Sequence, residues 1–238
     1  MTPIVMVAGM AIGSAVLQAE KPCVPTEQYE RREVEGWTVL VNRELLADPD
    51  GVGAEALKLL ECKLFEIRRV VPEAACRELR AIPIWLGVDD GHAPCAEYHP
   101  SADWLRENGY NPDKAKSVEI GCAARFVEWS KHQPTMVLHE LAHGYHDRVL
   151  GYEHPTVRAA YEAAVASGKY EQVLKYDGSV GRAYALENPQ EYFAELTECF
   201  FGTNDFYPFV RAELEPHDPE GYRLLKELWA APPAAGAP

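Results

Sequence analysis

The stretch Met136-Val-Leu-His-Glu-Leu-Ala-His-Gly-Tyr145 combines an apolar stripe with two histidines four residues apart. Its apolar residues recur at helical spacing, so the sequence predicts an α-helix with one buried face. Residues four apart lie on the same face of a helix, and His139 and His143 can therefore reach a single metal ion. Glu140 projects beside them. This HExxH pattern indicates a zinc site with Glu140 as a general base.

A third ligand is expected downstream, because a catalytic zinc ion usually has three protein ligands and one open position. The extended pattern HExxHxxGxxH is excluded, since His146 and Val149 replace the required Gly and His. A second helix is predicted from Asn188-Pro189, where Asn suits the cap and Pro the first turn. Glu191 and Glu195 lie four residues apart on this helix and share one face. These two carboxylates are therefore the candidate residues that this helix contributes to the metal site.

Other residues compete for the role of third ligand. The segment Gly202-Thr-Asn-Asp-Phe-Tyr207 approaches the GTxDxxY signature of aspzincins, in which the aspartate binds zinc. Its tyrosine falls one position early, so Asp205 is the second choice. His146 and His154 are nearer to the HExxH pattern, but His146 rotates towards the flank of the zinc face. Both are interpreted as surface histidines or as groups behind the ligands.

The HExxH pattern, a later tyrosine at Tyr184 and the helix with Glu191-Tyr-Phe-Ala-Glu195 occur in one order along the chain. Together they resemble the catalytic domain of the anthrax toxin lethal factor family. The members of this family are gluzincin-type HExxH zinc metallopeptidases. The resemblance covers about residues 118–198.

The resemblance implies a role for each matching residue. One zinc ion per chain would be held by His139, His143 and Glu191. Glu140 would be the general base. Glu195 would orient a ligand imidazole, which fixes the tautomer and raises the basicity of that ligand. The hydroxyl of Tyr184 would assist at the oxyanion or the leaving group.

The expected reaction is amide hydrolysis by a zinc-activated water, with Glu140 as the base. The leading hypothesis is therefore a secreted zinc-dependent endopeptidase that acts on a peptide or protein substrate. Two alternatives stay open, namely a zinc-binding protein without turnover and a zinc amidase that acts on a cell-wall peptide. The presence of Glu140 and Tyr184 favours catalysis, because a binding protein has no chemical need for either.

The segment Ser117-Val-Glu-Ile-Gly-Cys122 begins like a strand just before the HExxH helix. In zincins of this general shape, the strand before that helix is a sheet edge to which an extended substrate adds as another strand. Val118, Ile120 and Cys122 are therefore predicted to line the substrate cleft. An ordinary edge strand without a ligand is the alternative.

Apolar patterning predicts strands over 36–42 and 82–88, with an amphipathic helix over 53–70 between them. Residues 89–116 are interpreted as a long loop. Further helices are predicted over 156–167 and 219–229. Strands early and helices late indicate an α+β fold. The expected architecture is zincin-like, with a small mixed sheet whose edge strand lies over the HExxH helix and a mostly helical C-terminal lobe.

Residues 1–19 are uncharged and apolar, and the chain then becomes polar. This stretch is short for a membrane span, so a cleaved signal peptide is expected, with an uncleaved anchor as the alternative. Export would make the protein secreted or periplasmic. Residues 20–229 are predicted to form one zincin-like metallopeptidase domain and residues 230–238 a disordered tail.

The chain has six cysteines and a formal charge of −14. An even number of cysteines in an exported chain favours disulfides. Six cysteines allow 15 connectivities among which the sequence does not choose, and Cys62 with Cys76 and Cys95 with Cys122 are the pairs expected as a guess. In a cytosolic chain the cysteines would instead be buried thiols. The acidic charge argues against nucleic acid and anionic membrane surfaces as partners. After signal cleavage, no membrane association is expected, and the expected state is a monomer.

Overall fold

The computed structural model describes residues 23–89, 91 and 95–230. The predicted signal peptide and residues 231–238 of the predicted tail lie outside these ranges. Among the helices of the described ranges, none has both the length and the apolar character that a membrane span requires.

A mixed sheet of five strands lies in the N-terminal half of the described chain. Its strands are Tyr29–Val34 (β1), Trp37–Asn42 (β2), Ile84–Leu86 (β3), Ala96–Tyr98 (β4) and Val118–Ile120 (β5). Their spatial order is β1-β2-β3-β5-β4. The three central strands β2, β3 and β5 run parallel, and the outer strands β1 and β4 are antiparallel to their neighbours. The two edge strands of the sheet are therefore β1 and β4.

Helices dominate the rest of the molecule. Within the described ranges they are Val52–Val70 (α1), Glu73–Arg80 (α2), Ala102–Glu107 (α3), Ala123–Trp129 (α4), Met136–Tyr145 (α5), Pro155–Ser167 (α6), Pro189–Phe201 (α7), Arg211–His217 (α8) and Pro219–Ala230 (α9). A small hairpin of Val173–Leu174 (β6) and Val180–Gly181 (β7) precedes α7. The fold is α+β, as the sequence predicts.

The predicted helices over 53–70, 156–167 and 219–229 are confirmed as α1, α6 and α9. The predicted start of α7 is confirmed as well. The Asn188 side chain accepts a hydrogen bond from the backbone N–H of Glu191 at 2.9 Å, and Pro189 is the first helical residue. This cap fixes the turn of helix that carries Glu191.

The predicted loop over 89–116 contains β4 and α3, and this changes the edge of the sheet. Since β4 pairs with the outer side of β5, β5 is an interior strand. The prediction that Val118, Ile120 and Cys122 form the substrate edge is therefore wrong. Val118 and Ile120 are buried in the sheet, and Cys122 caps α4. A strand of three residues is too short to show a period in the sequence, so β4 was missed.

All six cysteines lie in the described ranges, and all six are free thiols. The expected pairs Cys62 with Cys76 and Cys95 with Cys122 are not formed. Four of the six side chains are buried, namely Cys76, Cys95, Cys122 and Cys199. A buried free cysteine packs as a small apolar residue, which accounts for these four positions.

Helix α5 packs between β4 on one side and α7 on the other. Gly144 lies where α5 packs against Ile82 and against Tyr98 of β4. A Cβ atom at this position would lie 2.6 Å from Ile82 Cδ1 and 3.0 Å from the Tyr98 ring. Glycine therefore permits the close contact that brings the HExxH helix against the edge strand.

The variant Gly144→Ala is expected to lower the free energy of unfolding by about 1–3 kcal/mol, because the methyl group overpacks this contact. Alanine in an unhindered helix interior would instead stabilise the protein by about 0.5–1 kcal/mol relative to glycine. Urea unfolding of the two proteins measures the sign. A gain in stability would contradict the close packing of α5 against β4.

Candidate metal centre

The HExxH histidines lie on successive turns of α5, on the face turned towards α7. His139 Nε2 and His143 Nε2 are 3.1 Å apart. Glu191, in the first turn of α7, places its Oε2 atom 3.2 Å from His139 Nε2 and 3.3 Å from His143 Nε2. The three predicted ligand atoms therefore form a nearly equilateral triangle.

The size of this triangle suits zinc. Zinc binds nitrogen and oxygen ligands at about 2.0–2.1 Å, and tetrahedral geometry then separates neighbouring ligand atoms by about 3.3 Å. Burial acts to raise the pKa of Glu191, but hydrogen bonds from His139 and His143 lower it overall. The carboxylate is thus the negatively charged ligand form.

The contacts of the two His139 ring nitrogens also suit a metal ion at the centre of the triangle. His139 Nδ1 lies 2.7 Å from Glu198 Oε1, so Nδ1 carries the proton and donates it. Burial acts to lower the pKa of His139, but hydrogen bonds with Glu191 and Glu198 raise it overall. Loss of the Nε2 proton when a metal ion binds would leave a lone pair at Nε2. That lone pair would face the Glu191 carboxylate and the second imidazole, and a proton on His143 can satisfy only one of these contacts. A metal ion at the centre of the triangle would satisfy all three atoms.

The carboxylate behind His139 is Glu198, and the prediction of Glu195 for this role is wrong. Glu195 Oε1 lies 3.7 Å from His139 Nδ1, which is too far for a hydrogen bond. Its other oxygen accepts a hydrogen bond from Asn204 Nδ2 at 3.3 Å. Both glutamates lie on the face of α7 that carries Glu191, at four and seven residues beyond it. That spacing is the sequence signal that could have identified Glu198.

The variant Glu198→Gln is expected to weaken zinc binding by about 10- to 100-fold, because a charged partner of a ligand imidazole is lost. Glu195→Gln is the matched control and is expected to change zinc affinity by less than about threefold. Competition with a chromophoric chelator measures both dissociation constants. A larger loss in Glu195→Gln than in Glu198→Gln would contradict the assignment.

Glu140 lies beside the triangle and faces β4. Its Oε2 atom accepts a hydrogen bond from the backbone N–H of Tyr98 at 2.8 Å, which fixes the carboxylate at the edge strand. Burial raises the pKa of Glu140. The group is therefore placed to exchange a proton in the cleft without acting as a ligand.

A cleft of about 500 Å³ lies over the three ligand atoms. Strand β4 forms one wall, and Tyr152, Tyr184 and Gln190 line it as well. Tyr184 is 48% exposed, in a short 3₁₀ turn before α7. Burial of its inner part raises the pKa of Tyr184 to about 12, so its hydroxyl is a donor at neutral pH. Tyr152 was missed, because no pattern in the sequence marks it.

Asp205, the alternative third ligand, lies outside the triangle. Its Oδ2 atom accepts a hydrogen bond from Gln133 Nε2 at 3.2 Å, and it belongs to none of the clusters of potential ligand atoms in the described ranges. The structure therefore brings Glu191, and not Asp205, to the two histidines.

His146 is fully buried, which excludes the surface position that was one of its two expected places. Its ring packs against Tyr152 and Phe193, and neither ring nitrogen has a hydrogen-bond partner among the described residues. Burial lowers the pKa of His146 to about 3, so the ring is neutral. His146 therefore acts as a packing residue behind the HExxH face.

A second cluster of potential ligands lies on the sheet and consists of Glu97, His99 and Glu119. His99 Nε2 is 2.7 Å from Glu119 Oε2, and the buried Lys114 forms an ion pair with the other oxygen of Glu119. A lysine already supplies the positive charge here. This cluster is therefore a buried ion-pair network and not a metal centre.

Comparisons with protein-family models, with curated proteins and with solved structures gave no match. The chemistry of the site is therefore inferred from its own residues.

Proposed function

We propose that this chain is a zinc-dependent peptidase with a zincin-like arrangement of edge strand and HExxH helix. The observation that carries the proposal is the triangle of His139, His143 and Glu191 with Glu140 beside it. Structural zinc sites have four protein ligands, whereas three ligands leave one position open for chemistry. The resemblance to the lethal factor catalytic domain family supports the same function.

When bound, zinc would lower the pKa of a water molecule and polarise the substrate carbonyl. Glu140 would accept a proton during attack and deliver it to the leaving amine. The hydrogen bond from Tyr98 holds the Glu140 carboxylate in one orientation for both transfers. The Tyr184 hydroxyl would donate a hydrogen bond to the negative charge that develops on the carbonyl oxygen.

Strand β4 is the proposed binding edge for an extended substrate. The backbone groups of Cys95 and His99 point towards β5 and form hydrogen bonds with the residues that flank it, at 2.8 Å and 3.0 Å. Because the pattern alternates in an antiparallel ladder, Ala96 and Tyr98 direct their backbone groups away from β5. The N–H of Tyr98 is used by Glu140. A substrate strand would therefore pair with Ala96, close to the ligand triangle.

The variant Tyr184→Phe is expected to lower kcat by about 10²- to 10³-fold, which is the usual effect of removing one oxyanion donor. Zinc content and KM should change little, because the hydroxyl acts mainly in the transition state. Steady-state kinetics with a cleaved peptide and metal analysis measure these quantities. An unchanged kcat would exclude Tyr184 from catalysis.

The test of the proposed function is cleavage of an unbiased peptide library by the purified protein with one zinc per chain. Cleavage that stops when a chelator removes zinc and returns when zinc is restored would support a zinc peptidase. A protein that holds one zinc and cleaves no peptide would contradict the proposal. It would then favour a zinc-binding protein without turnover.

A further inference from the structure

A side cavity of about 230 Å³ adjoins the cleft over the ligand triangle. It shares Ala96, His139, Glu140 and Tyr184 with that cleft. Trp129, which is 40% exposed, also lines it, so the cavity lies next to solvent. Sites for drug-sized ligands are about 300–1,000 Å³. The side cavity therefore suits one side chain of a ligand that occupies the larger cleft.

The inner wall of the side cavity is acidic. Glu195 and Glu198 line it, and these residues are only 3% and 4% exposed. Glu198 uses Oε1 for the hydrogen bond from His139. Its Oε2 atom is buried and has no hydrogen-bond partner among the described residues. A buried oxygen without a donor is costly, and a ligand that brings a donor would remove that cost.

Burial raises the pKa of the Glu195 and Glu198 carboxyl groups in this wall, so a cation that entered the cavity would stabilise their charged forms. Asp205 contributes a third carboxyl group close by, whose pKa is also raised by burial although the charge of Lys175 acts to lower it. The donors to the three groups are His139 and two neutral amides, Asn204 Nδ2 and Gln133 Nε2. In the described ranges, no lysine or arginine forms an ion pair with any of the three carboxylates. The cavity is therefore complementary to a cation.

We propose that the side cavity accepts a lysine or arginine side chain of the peptide substrate, next to the bond that is cleaved. This inference rests on the proposed peptidase function. Ala96 lies both on the substrate-binding edge of β4 and in the cavity wall, so a side chain of the paired strand can enter. Its ammonium or guanidinium group would donate to Glu198 Oε2, and its aliphatic part would pack on Trp129.

A second metal ion is the other cation that this wall could attract, because ligand atoms of His139, Glu195 and Glu198 lie within 4.8 Å of one another. His139, however, donates its Nδ1 proton to Glu198 and presents Nε2 to the ligand triangle. It would have to lose that proton to bridge two metal ions. A basic side chain requires no such change, and the cavity gives it the necessary room.

The first experiment compares zinc-loaded wild type with Glu195→Gln on pairs of peptides that differ only by lysine or norleucine. The wild type is expected to favour lysine or arginine at one fixed position beside the cleaved bond. In Glu195→Gln the ratio of the two kcat/KM values should fall by about tenfold or more. Glu162→Gln, an exposed position on α6, is the matched control and should keep the wild-type ratio. Cleavage without a basic preference, or a preference that Glu195→Gln retains, would overturn the proposal but leave the peptidase function in place.

The second experiment separates the cavity from catalysis. Calorimetry measures the binding of n-butylguanidinium to the zinc-loaded full chain that carries Glu140→Gln. The double variant with Glu140→Gln and Glu195→Gln should bind this cation about tenfold or more weakly. Such binding in a protein whose wild type cleaves no peptide would support the cation pocket and refute the peptidase function. Lack of binding would overturn the pocket. Native mass spectrometry counts the zinc ions in each protein. Two zinc ions in wild type and one in Glu195→Gln would assign the cavity to a metal ion and would also overturn the proposal of a pocket for a basic side chain.

Discussion

Replacing Glu140 with glutamine is expected to lower kcat by about 10²- to 10⁴-fold while one zinc ion per chain is retained. Glutamine has nearly the same shape as glutamate, and its amide oxygen can still accept the hydrogen bond from Tyr98. What it lacks is the ability to accept a proton from the attacking water. Since Glu140 lies outside the ligand triangle, the metal should stay bound.

Turnover of a fluorogenic peptide and metal content by mass spectrometry measure the two halves of this prediction on the same samples. Glu162→Gln on α6 controls for the loss of a single carboxylate and should match wild type in both measurements. Full activity in Glu140→Gln would exclude this residue as the base. Loss of zinc would instead indicate that Glu140 helps to hold the metal.

The parts of the site that could be predicted from the sequence are those that depend on one helix alone. His139 and His143 share a face because they are four residues apart, whatever surrounds the helix. The start of α7 is equally local, since Asn188 and Pro189 determine where the helix begins. Glu191 could therefore be placed on the first turn of a helix before any tertiary contact was known.

The errors about the residues behind His139 and about the substrate edge concern contacts between elements. Whether Glu195 or Glu198 reaches His139 depends on how α7 crosses α5, and both residues lie on the same face of α7. The edge of the sheet depends on the pairing of β4 with β5, which are separated by the whole of α3. A strand as short as Ala96–Tyr98 has no period of its own, so its place was decided by partners distant in sequence.

Tyr152 is another residue whose place in the cleft could not be predicted from the sequence. It reaches the cleft because the chain leaves α5 through a π-helical turn, His146–Leu150, and then reverses at Gly151, where φ is +81°. Glycine takes this left-handed conformation without strain. A single tyrosine after a glycine carries no signature in the sequence. Only the path of the backbone brings it to the cleft over the candidate metal centre.

Replacing Glu191 with glutamine is expected to weaken zinc binding by more than about 100-fold, which exceeds the 10- to 100-fold effect of partners behind a ligand. The variant keeps the size of the side chain but loses the charge that faces two imidazoles at 3.2 Å and 3.3 Å. Asp205→Asn is the matched control, since it removes a buried carboxylate that lies outside the triangle. Competition titration with a chelator measures both affinities, and far-UV circular dichroism checks that both variants are folded.

The opposite pattern, with tight binding in Glu191→Gln and a large loss in Asp205→Asn, would transfer the third ligand to Asp205. This would require the segment after α7 to move, because Asp205 is held by the hydrogen bond from Gln133. Equal and small losses in both variants would mean that the two histidines bind zinc without a carboxylate. The expected result is a large loss confined to Glu191→Gln, because only that carboxylate completes three corners of a tetrahedron with His139 and His143.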